Sequence, residues 1–282
     1  MDQLAPKPRR RLRKGMYILP SLFTTANMGL GYYAILEVIH ASATEYAHLD
    51  NAAKAIGFAV LFDGLDGRIA RMTGTTSDFG RELDSLADAV AFGVAPALLA
   101  WVWGFHLMPP VLLTDWHNNW HIKLTQLGAI ACFLFLIAGV SRLARFNITS
   151  NPQPSNPGRP GKKYFVGMPI PAAAGTIAAI VHWEKTPLEH WGYSLGWMAV
   201  VALLAFLMVS RMRYYSFKTL DLRKRRSYLA IIFLGLIIWA IWLYSEPVLL
   251  TMAVTYALSG IILRITSKFR PHPPAPEEVH AA

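Results

Sequence analysis

Four aspartates lie in or beside two strongly apolar segments of the chain: Asp63, Asp66, Asp84 and Asp88. Asp63 and Asp66 are three residues apart, and Asp84 and Asp88 are four apart, so each pair lies on one face of an α-helix. Each carboxylate costs about 2.5–3.5 kcal/mol at a bilayer centre on insertion scales, and nearby cations offset that cost. Hard oxygen ligands suit Mg²⁺ or Mn²⁺, and four aspartates are enough to bind two such ions, with one or more bridging.

The residues around these aspartates suit a phosphate ligand bound to the metal ions. Gly67 and Gly80 leave space for a ligand beside the backbone, and Ala70 keeps the same helix face open. Arg71 offers a fork-shaped cation that matches phosphate geometry. Hydroxyls follow in the connection between the two segments: Thr73, Thr75, Thr76 and Ser77. Together these groups predict a diphosphate site for metal-assisted phosphoryl transfer.

The composition shows that membrane helices position these groups. Of 282 residues, 54% are hydrophobic and 16% charged, whereas soluble domains carry about 25% charge. These values exclude a disordered chain, a nucleic-acid module and a disulfide scaffold. A helix needs about 20 mostly apolar residues to cross a bilayer. Eight segments approach that pattern: 17–39, 52–72, 83–104, 122–144, 166–183, 192–212, 228–244 and 247–264.

The positions of the basic residues predict the orientation in the membrane. The net charge is +10, but Lys and Arg cluster in short runs between the apolar segments, so nucleic acid is not expected as a partner. All but three of the 27 Lys and Arg residues (Lys54, Lys123 and Lys185) fall on one side of an eight-span arrangement. By the positive-inside rule both termini are cytoplasmic. The connection 72–82 is short, so the second and third spans are antiparallel neighbours with the aspartates near the cytoplasmic surface.

The expected fold is therefore an all-α, multi-pass protein of the cytoplasmic membrane, with its site between the second and third spans. We divide it into four parts: a basic N-terminal segment 1–15, a core 16–215 holding six spans, a C-terminal helical hairpin 216–266, and a disordered tail 267–282.

The motif around the aspartates resembles the signature of the CDP-alcohol phosphatidyltransferase family. Eight positions match at fixed spacing over 26 residues: Asp63, Asp66, Gly67, Ala70, Arg71, Gly80, Asp84 and Asp88. The resemblance implies a membrane enzyme that moves a phosphatidyl group from a CDP-linked lipid to an alcohol and releases CMP. It also implies that Asp63, Asp66 and Asp84 ligate metal, and that Asp88 is the general base while also touching the second metal.

Segments outside the motif resemble the membrane-embedded phosphatidylserine synthases of bacteria and archaea: ILPSLFTTANMGLGYYAI, SRLARFNI and YFVGMPIPAAAG. This resemblance implies CDP-diacylglycerol and L-serine as substrates, a homodimer, and nucleotide contacts from Thr25 and Asn27. A residue-level argument agrees, because the carboxylate of serine needs a cation near the metals. Arg142 and Arg145, three residues apart at the cytoplasmic end of the fourth span, supply one.

Two alternatives stay open at this point. The first keeps the chemistry and changes the acceptor to glycerol phosphate, inositol phosphate or choline, because the four-aspartate motif binds only the shared donor. The second is a divalent-cation transporter. A transporter would carry ionisable residues along a path through several helices, whereas the acidic residues here crowd into two neighbouring spans.

Overall fold

The computed structural model describes residues 18–73, 78–108, 115–148, 164–215 and 227–268, and almost all of them are helical. The helices are α1 Ile18–His40, α2 Ala47–Thr73, α3 Asp78–Asp88, α4 Ala95–Trp101, α5 Asp115–Ile148, α6 Ile170–Glu184, α7 Trp191–Val209, α8 Ser227–Leu243 and α9 Ser245–Lys268. A π-helical turn, Ala89–Val94, joins α3 to α4, and a second, Val102–His106, follows α4, so that one continuous rod runs from Asp78 to His106.

Each of the eight apolar segments expected from the sequence coincides with a helix, when the rod Asp78–His106 is counted as one. Within the described ranges, four helices are long and apolar enough to cross a membrane by length and composition. They are Phe79–His106, Trp120–Ile148, Trp191–Val209 and Ser245–Thr266. These four helices indicate a membrane protein. That the other four apolar segments also cross the membrane remains a prediction.

Within the described residues, the structure differs from the sequence-based expectation in one place, the start of the fifth segment. Residues Tyr164–Val166 form a strand, β1, that pairs antiparallel with β2, Arg213–Tyr215. The helix that was expected from residue 166 starts only at Ile170, with Pro169 as its N-terminal cap. A residue before proline is disfavoured in the helical region, and proline itself fits the first helical turn, so the prolines set this boundary.

The N-terminal helices pack closely because their contact residues are small. Alanines without exposed surface recur along α2, the first π-helical turn and α6. Gly31 of α1 lies directly against Ala91, three residues after Asp88: a Cβ built on Gly31 would lie 2.7 Å from the Ala91 Cα. Small residues at such crossings let helix backbones approach one another in membranes. Gly31 thereby sets the distance between α1 and the rod that carries Asp84 and Asp88.

Polar pairs join three helices at the end of α2 away from Asp63. His182 of α6 pairs with Asp50 of α2, and its other ring nitrogen lies 3.0 Å from the Ser245 hydroxyl oxygen of α9. Lys185, directly after α6, donates a hydrogen bond to Glu246, which raises the pKa of the lysine. These pairs hold α9 against the core at this end.

Gly31→Ala is expected to lower the free energy of unfolding by about 1–3 kcal/mol, the usual cost of overpacking a closely packed contact. The Ala91 backbone leaves no room for the added methyl group. Thermal unfolding in detergent measures this change. Gly29→Ala is the matched control, because nothing lies within 4 Å of a Cβ built there. Equal melting temperatures for the two variants would contradict the close α1–rod contact.

Candidate active site

Three of the four aspartates predicted from the sequence converge in the structure. Asp63 of α2 and Asp84 and Asp88 of α3 each place a carboxylate oxygen within 4.8 Å of the others. We call these three residues the acidic triad. Asp63 and Asp84 are half-buried, and Asp88 is only 8% exposed. Two neighbouring helices thus aim carboxylates at one point, as their spacing predicted.

The donor set of the acidic triad fits a divalent metal ion. At an effective dielectric constant of about 20, two carboxylates about 5 Å apart repel by about 3 kcal/mol, and the triad contains three such pairs. A divalent cation between the oxygens turns this repulsion into attraction. Mg²⁺ and Mn²⁺ favour carboxylate oxygen ligands, so the triad has the right chemistry to hold either ion.

A π-helical turn begins directly after Asp88, the last residue of α3. The residues of this turn include Ala91, Phe92 and Gly93, all buried. Turns of this kind occur mostly as single insertions in α-helices, and frequently at functional sites. In this arrangement Asp88 faces Asp63 and Asp84, while the residues of the π-helical turn pack against α1.

Asn27 of α1 is hydrogen-bonded to Asp88 and helps to hold it in place. Its side-chain nitrogen Nδ2 donates a hydrogen bond of 3.2 Å to Asp88 Oδ1, and the residue is only 1% exposed. Its amide oxygen Oδ1 is buried without a hydrogen-bond partner. An unpartnered buried polar atom is costly, which indicates a ligand at this point. The sequence predicted a nucleotide contact for Asn27, and the structure adds the direct link to the triad.

The remaining motif residues divide between described and undescribed parts of the chain. Gly80 lies in the first turn of α3 and is half-buried. The last turns of α2 carry four more motif residues, whose side chains lie outside the part of the structure described: Asp66, Gly67, Ala70 and Arg71. Thr76 and Ser77 lie outside the described residues altogether. Thr25 is exposed, two residues before Asn27 and hence on a different face of α1.

The two arginines expected to bind an acceptor have different surroundings. Arg142 is 8% exposed, and its guanidinium carbon lies 4.6 Å above the ring of Phe146. Its Nε atom is buried without a hydrogen-bond partner. The guanidinium also interacts electrostatically with the charges of Asp88 and Arg145. Arg145 is exposed. The structure therefore brings Arg142 towards the acidic triad and leaves Arg145 at the surface.

Sequence analysis missed a polar connection between α3 and α5. The Asn147 side-chain nitrogen donates hydrogen bonds to Ser85 Oγ (3.1 Å) and Glu82 Oε2 (3.3 Å). Ser85 directly follows Asp84, and Asn147 lies near the end of the helix that carries Arg142. The connection therefore fixes α3, which carries Asp84 and Asp88, relative to α5, which carries Arg142. Ser85 and Glu82 lie 62 and 65 residues before Asn147, so no local sequence pattern predicts these hydrogen bonds.

The model of the CDP-alcohol phosphatidyltransferase family matches residues 17–209, more than half of the chain. The chain belongs to the CDP-alcohol phosphatidyltransferase family. The match contains α1 to α7 and the whole acidic triad. Enzymes of this family generally use divalent metals, which agrees with the carboxylate cluster.

Several relatives are named CDP-diacylglycerol–serine O-phosphatidyltransferase. A protein of Helicobacter pylori is 35% identical over 224 residues, which cover 79% of this chain and 82% of the relative. A protein of Mycobacterium leprae is 31% identical over 255 residues, covering 89% of this chain and 75% of the relative. A protein of Methanocaldococcus jannaschii is 34% identical over 168 residues, covering 60% of this chain and 65% of the relative.

Asn27→Ala is expected to raise the dissociation constant for Mn²⁺ at least about tenfold. Residues that hydrogen-bond to metal ligands orient those ligands, and their loss typically costs 10–100-fold in affinity or activity. Electron paramagnetic resonance of free Mn²⁺, titrated with the purified protein, measures the constant directly. Asn51→Ala is the matched control, because its amide donates to Glu37 at the other end of the α1–α2 pair. Equal affinities for the two variants would show that Asn27 does not position Asp88.

Proposed function

We propose that this protein is a phosphatidylserine synthase of phospholipid biosynthesis, transferring the phosphatidyl group of CDP-diacylglycerol to L-serine with release of CMP. The observation that carries the proposal is the convergence of the acidic triad in a chain whose relatives in bacteria and an archaeon share one enzyme name. Family membership supports the reaction class, and the names of the relatives support serine as the acceptor.

The transfer makes one bond and breaks one bond at the same phosphorus atom. The serine hydroxyl oxygen attacks the phosphorus that carries the diacylglycerol oxygen, and the bond from this phosphorus to the oxygen bridging the two phosphates breaks. The serine hydroxyl proton passes to the Asp88 carboxylate. CMP leaves with the bridging oxygen and its electron pair. Asn27, which donates to Asp88 Oδ1, keeps the carboxylate oriented for this proton transfer.

Two divalent ions, Mg²⁺ or Mn²⁺, complete the proposed site, held by Asp63, Asp66, Asp84 and Asp88. When bound, they neutralise the diphosphate and stabilise the charge that develops on the leaving CMP. The proposed contacts to the CDP-lipid come from the motif and its surroundings. They are Gly67, Ala70, Arg71, Gly80, Thr76, Ser77, Thr25 and Asn27.

The proposed acceptor pocket is centred on Arg142, with Arg145 at its entrance. Serine is a zwitterion, and a buried guanidinium binds its carboxylate through charge-assisted hydrogen bonds. The unpartnered Nε of Arg142 and the nearby charge of Asp88 support this placement, because they put the cation beside the proposed general base. Arg145, which is exposed, adds positive potential that attracts the anionic group of the substrate.

The proposed setting is the cytoplasmic membrane, with eight crossings, both termini in the cytoplasm and the triad near the cytoplasmic surface. The distribution of Lys and Arg supports this orientation. CDP-diacylglycerol then reaches the triad laterally, with its acyl chains in the lipid. We also propose a homodimer, a catalytic core over 16–215, a helical hairpin over 216–266, and terminal segments 1–15 and 267–282.

Purified protein is expected to release CMP from CDP-diacylglycerol when L-serine and Mg²⁺ or Mn²⁺ are present, with phosphatidylserine found by mass spectrometry. Asp88→Asn is expected to lower kcat at least about 100-fold, as the loss of a general base does, while CDP-lipid binding persists. Glu45→Gln is the control, because Glu45 is exposed in the connection between α1 and α2.

Three results would overturn the proposal. Full turnover by the Asp88→Asn variant would remove Asp88 from the reaction. CMP release with glycerol phosphate, inositol phosphate or choline but not with serine would change the acceptor. Divalent-cation flux through reconstituted vesicles without CMP release would favour a transporter.

A further inference from the structure

Two histidine side chains lie beside each other where α1 ends and α2 begins. His40 is the last residue of α1, and His48 lies in the first turn of α2. Their ring centroids are 6.0 Å apart, with an angle of 38° between the ring planes. Asp63 of the acidic triad lies about four turns further along α2. The histidine pair therefore belongs to the other end of this helix and is separate from the candidate active site.

Both imidazole rings are held through their Nδ1 atoms by consecutive residues of α1. The Nδ1 atom of His40 lies 2.7 Å from the Leu36 carbonyl oxygen, and that of His48 lies 2.8 Å from Glu37 Oε2. A carbonyl oxygen and a carboxylate oxygen only accept hydrogen bonds, so both Nδ1 atoms carry a proton and donate it. In a neutral imidazole the other ring nitrogen then holds a lone pair, and this is Nε2 in both residues.

The two Nε2 atoms are accessible ligand atoms. They lie on the ring edges that the hydrogen bonds to Leu36 and Glu37 leave open. Among the residues that the structure describes, neither Nε2 has a hydrogen-bond partner. His40 is exposed and His48 is half-buried, so the pair is open to ions from solution.

The arrangement of this pair matches the chemistry of histidine ligands in metal sites. A ligating histidine almost always donates its other ring N–H to a carboxylate, a backbone carbonyl or water, which fixes the tautomer and orients the ring. His48 donates to a carboxylate and His40 to a backbone carbonyl. With metal–nitrogen bonds of about 2.0–2.1 Å, two imidazole rings on one zinc ion have centres about 5–6 Å apart. The observed separation of 6.0 Å lies within this range.

We propose that His40 and His48 bind one zinc-like divalent ion through their Nε2 atoms, with water in the remaining coordination positions. Imidazole nitrogen suits Zn²⁺ and Ni²⁺, whereas the carboxylates of the acidic triad suit Mg²⁺ or Mn²⁺. The ion joins the last residue of α1 to the first turn of α2 across the connection 41–46, and it stabilises this helix pair. The proposal does not depend on the proposed function, because it uses neither the acidic triad nor the substrates.

Isothermal titration calorimetry with Zn²⁺ tests the proposal on the full-length protein without a polyhistidine tag, in detergent with excess Mg²⁺ to occupy the acidic triad. The wild type is expected to bind one Zn²⁺ per chain. Loss of a group that only orients a metal ligand typically costs 10–100-fold in affinity. His40→Ala and His48→Ala each remove a ligand itself, so each is expected to raise the dissociation constant for Zn²⁺ at least about tenfold. His190→Ala is the matched control, because His190 is also exposed but lies directly before α7, where its ring contacts Tyr193.

Chemical modification of the wild-type protein provides a second test that needs no variant. Diethyl pyrocarbonate modifies imidazole nitrogens, and peptide mass spectrometry is expected to show that Zn²⁺ protects His40 and His48 while His190 stays reactive. Three results would overturn the proposal. They are the absence of Zn²⁺ binding by the wild type in excess Mg²⁺, an unchanged dissociation constant in both His40→Ala and His48→Ala, and equal modification of His40 and His48 with and without Zn²⁺.

Discussion

Repulsion among clustered carboxylates is the constraint on which this structure depends. Asp63, Asp84 and Asp88 place oxygens within 4.8 Å of one another inside a largely apolar helical bundle. Such an arrangement is unfavourable unless cations occupy the space between the oxygens. In the proposed function, the same ions that make the cluster tolerable also bind the diphosphate of a CDP-linked lipid, so stability and catalysis would depend on one electrostatic interaction.

Contacts from the neighbouring helices α1 and α5 keep these carboxylates in position. Asn27 holds Asp88 from α1, and the small residue Gly31 lets α1 approach the π-helical turn that follows Asp88. Asn147 joins the same rod to α5, the helix that carries Arg142. Asn27, the acidic triad and the helix of Arg142 are therefore fixed to one another through the rod, which suits the proposed in-line attack at a single phosphorus.

Local spacing predicted most of this arrangement, and long-range pairing accounts for what it missed. The i, i+4 spacing of Asp84 and Asp88 was enough to predict their shared face, and apolar segment lengths predicted the helices. The pairing of β1 with β2 joins three-residue strands 49 positions apart, too short for any periodic signal. Likewise, nothing near Asn147 in the sequence shows that this residue reaches Ser85 and Glu82, because those contacts exist only after the helices pack.

The measurement that tests the central claim most directly is X-ray diffraction from crystals of the protein grown with Mn²⁺, read as an anomalous difference map. The account predicts strong anomalous peaks at about 2 Å from carboxylate oxygens of Asp63, Asp84 and Asp88, the bonding distance of a small divalent ion. Mn²⁺ found only elsewhere, with the three carboxylates turned away from one another, would contradict it.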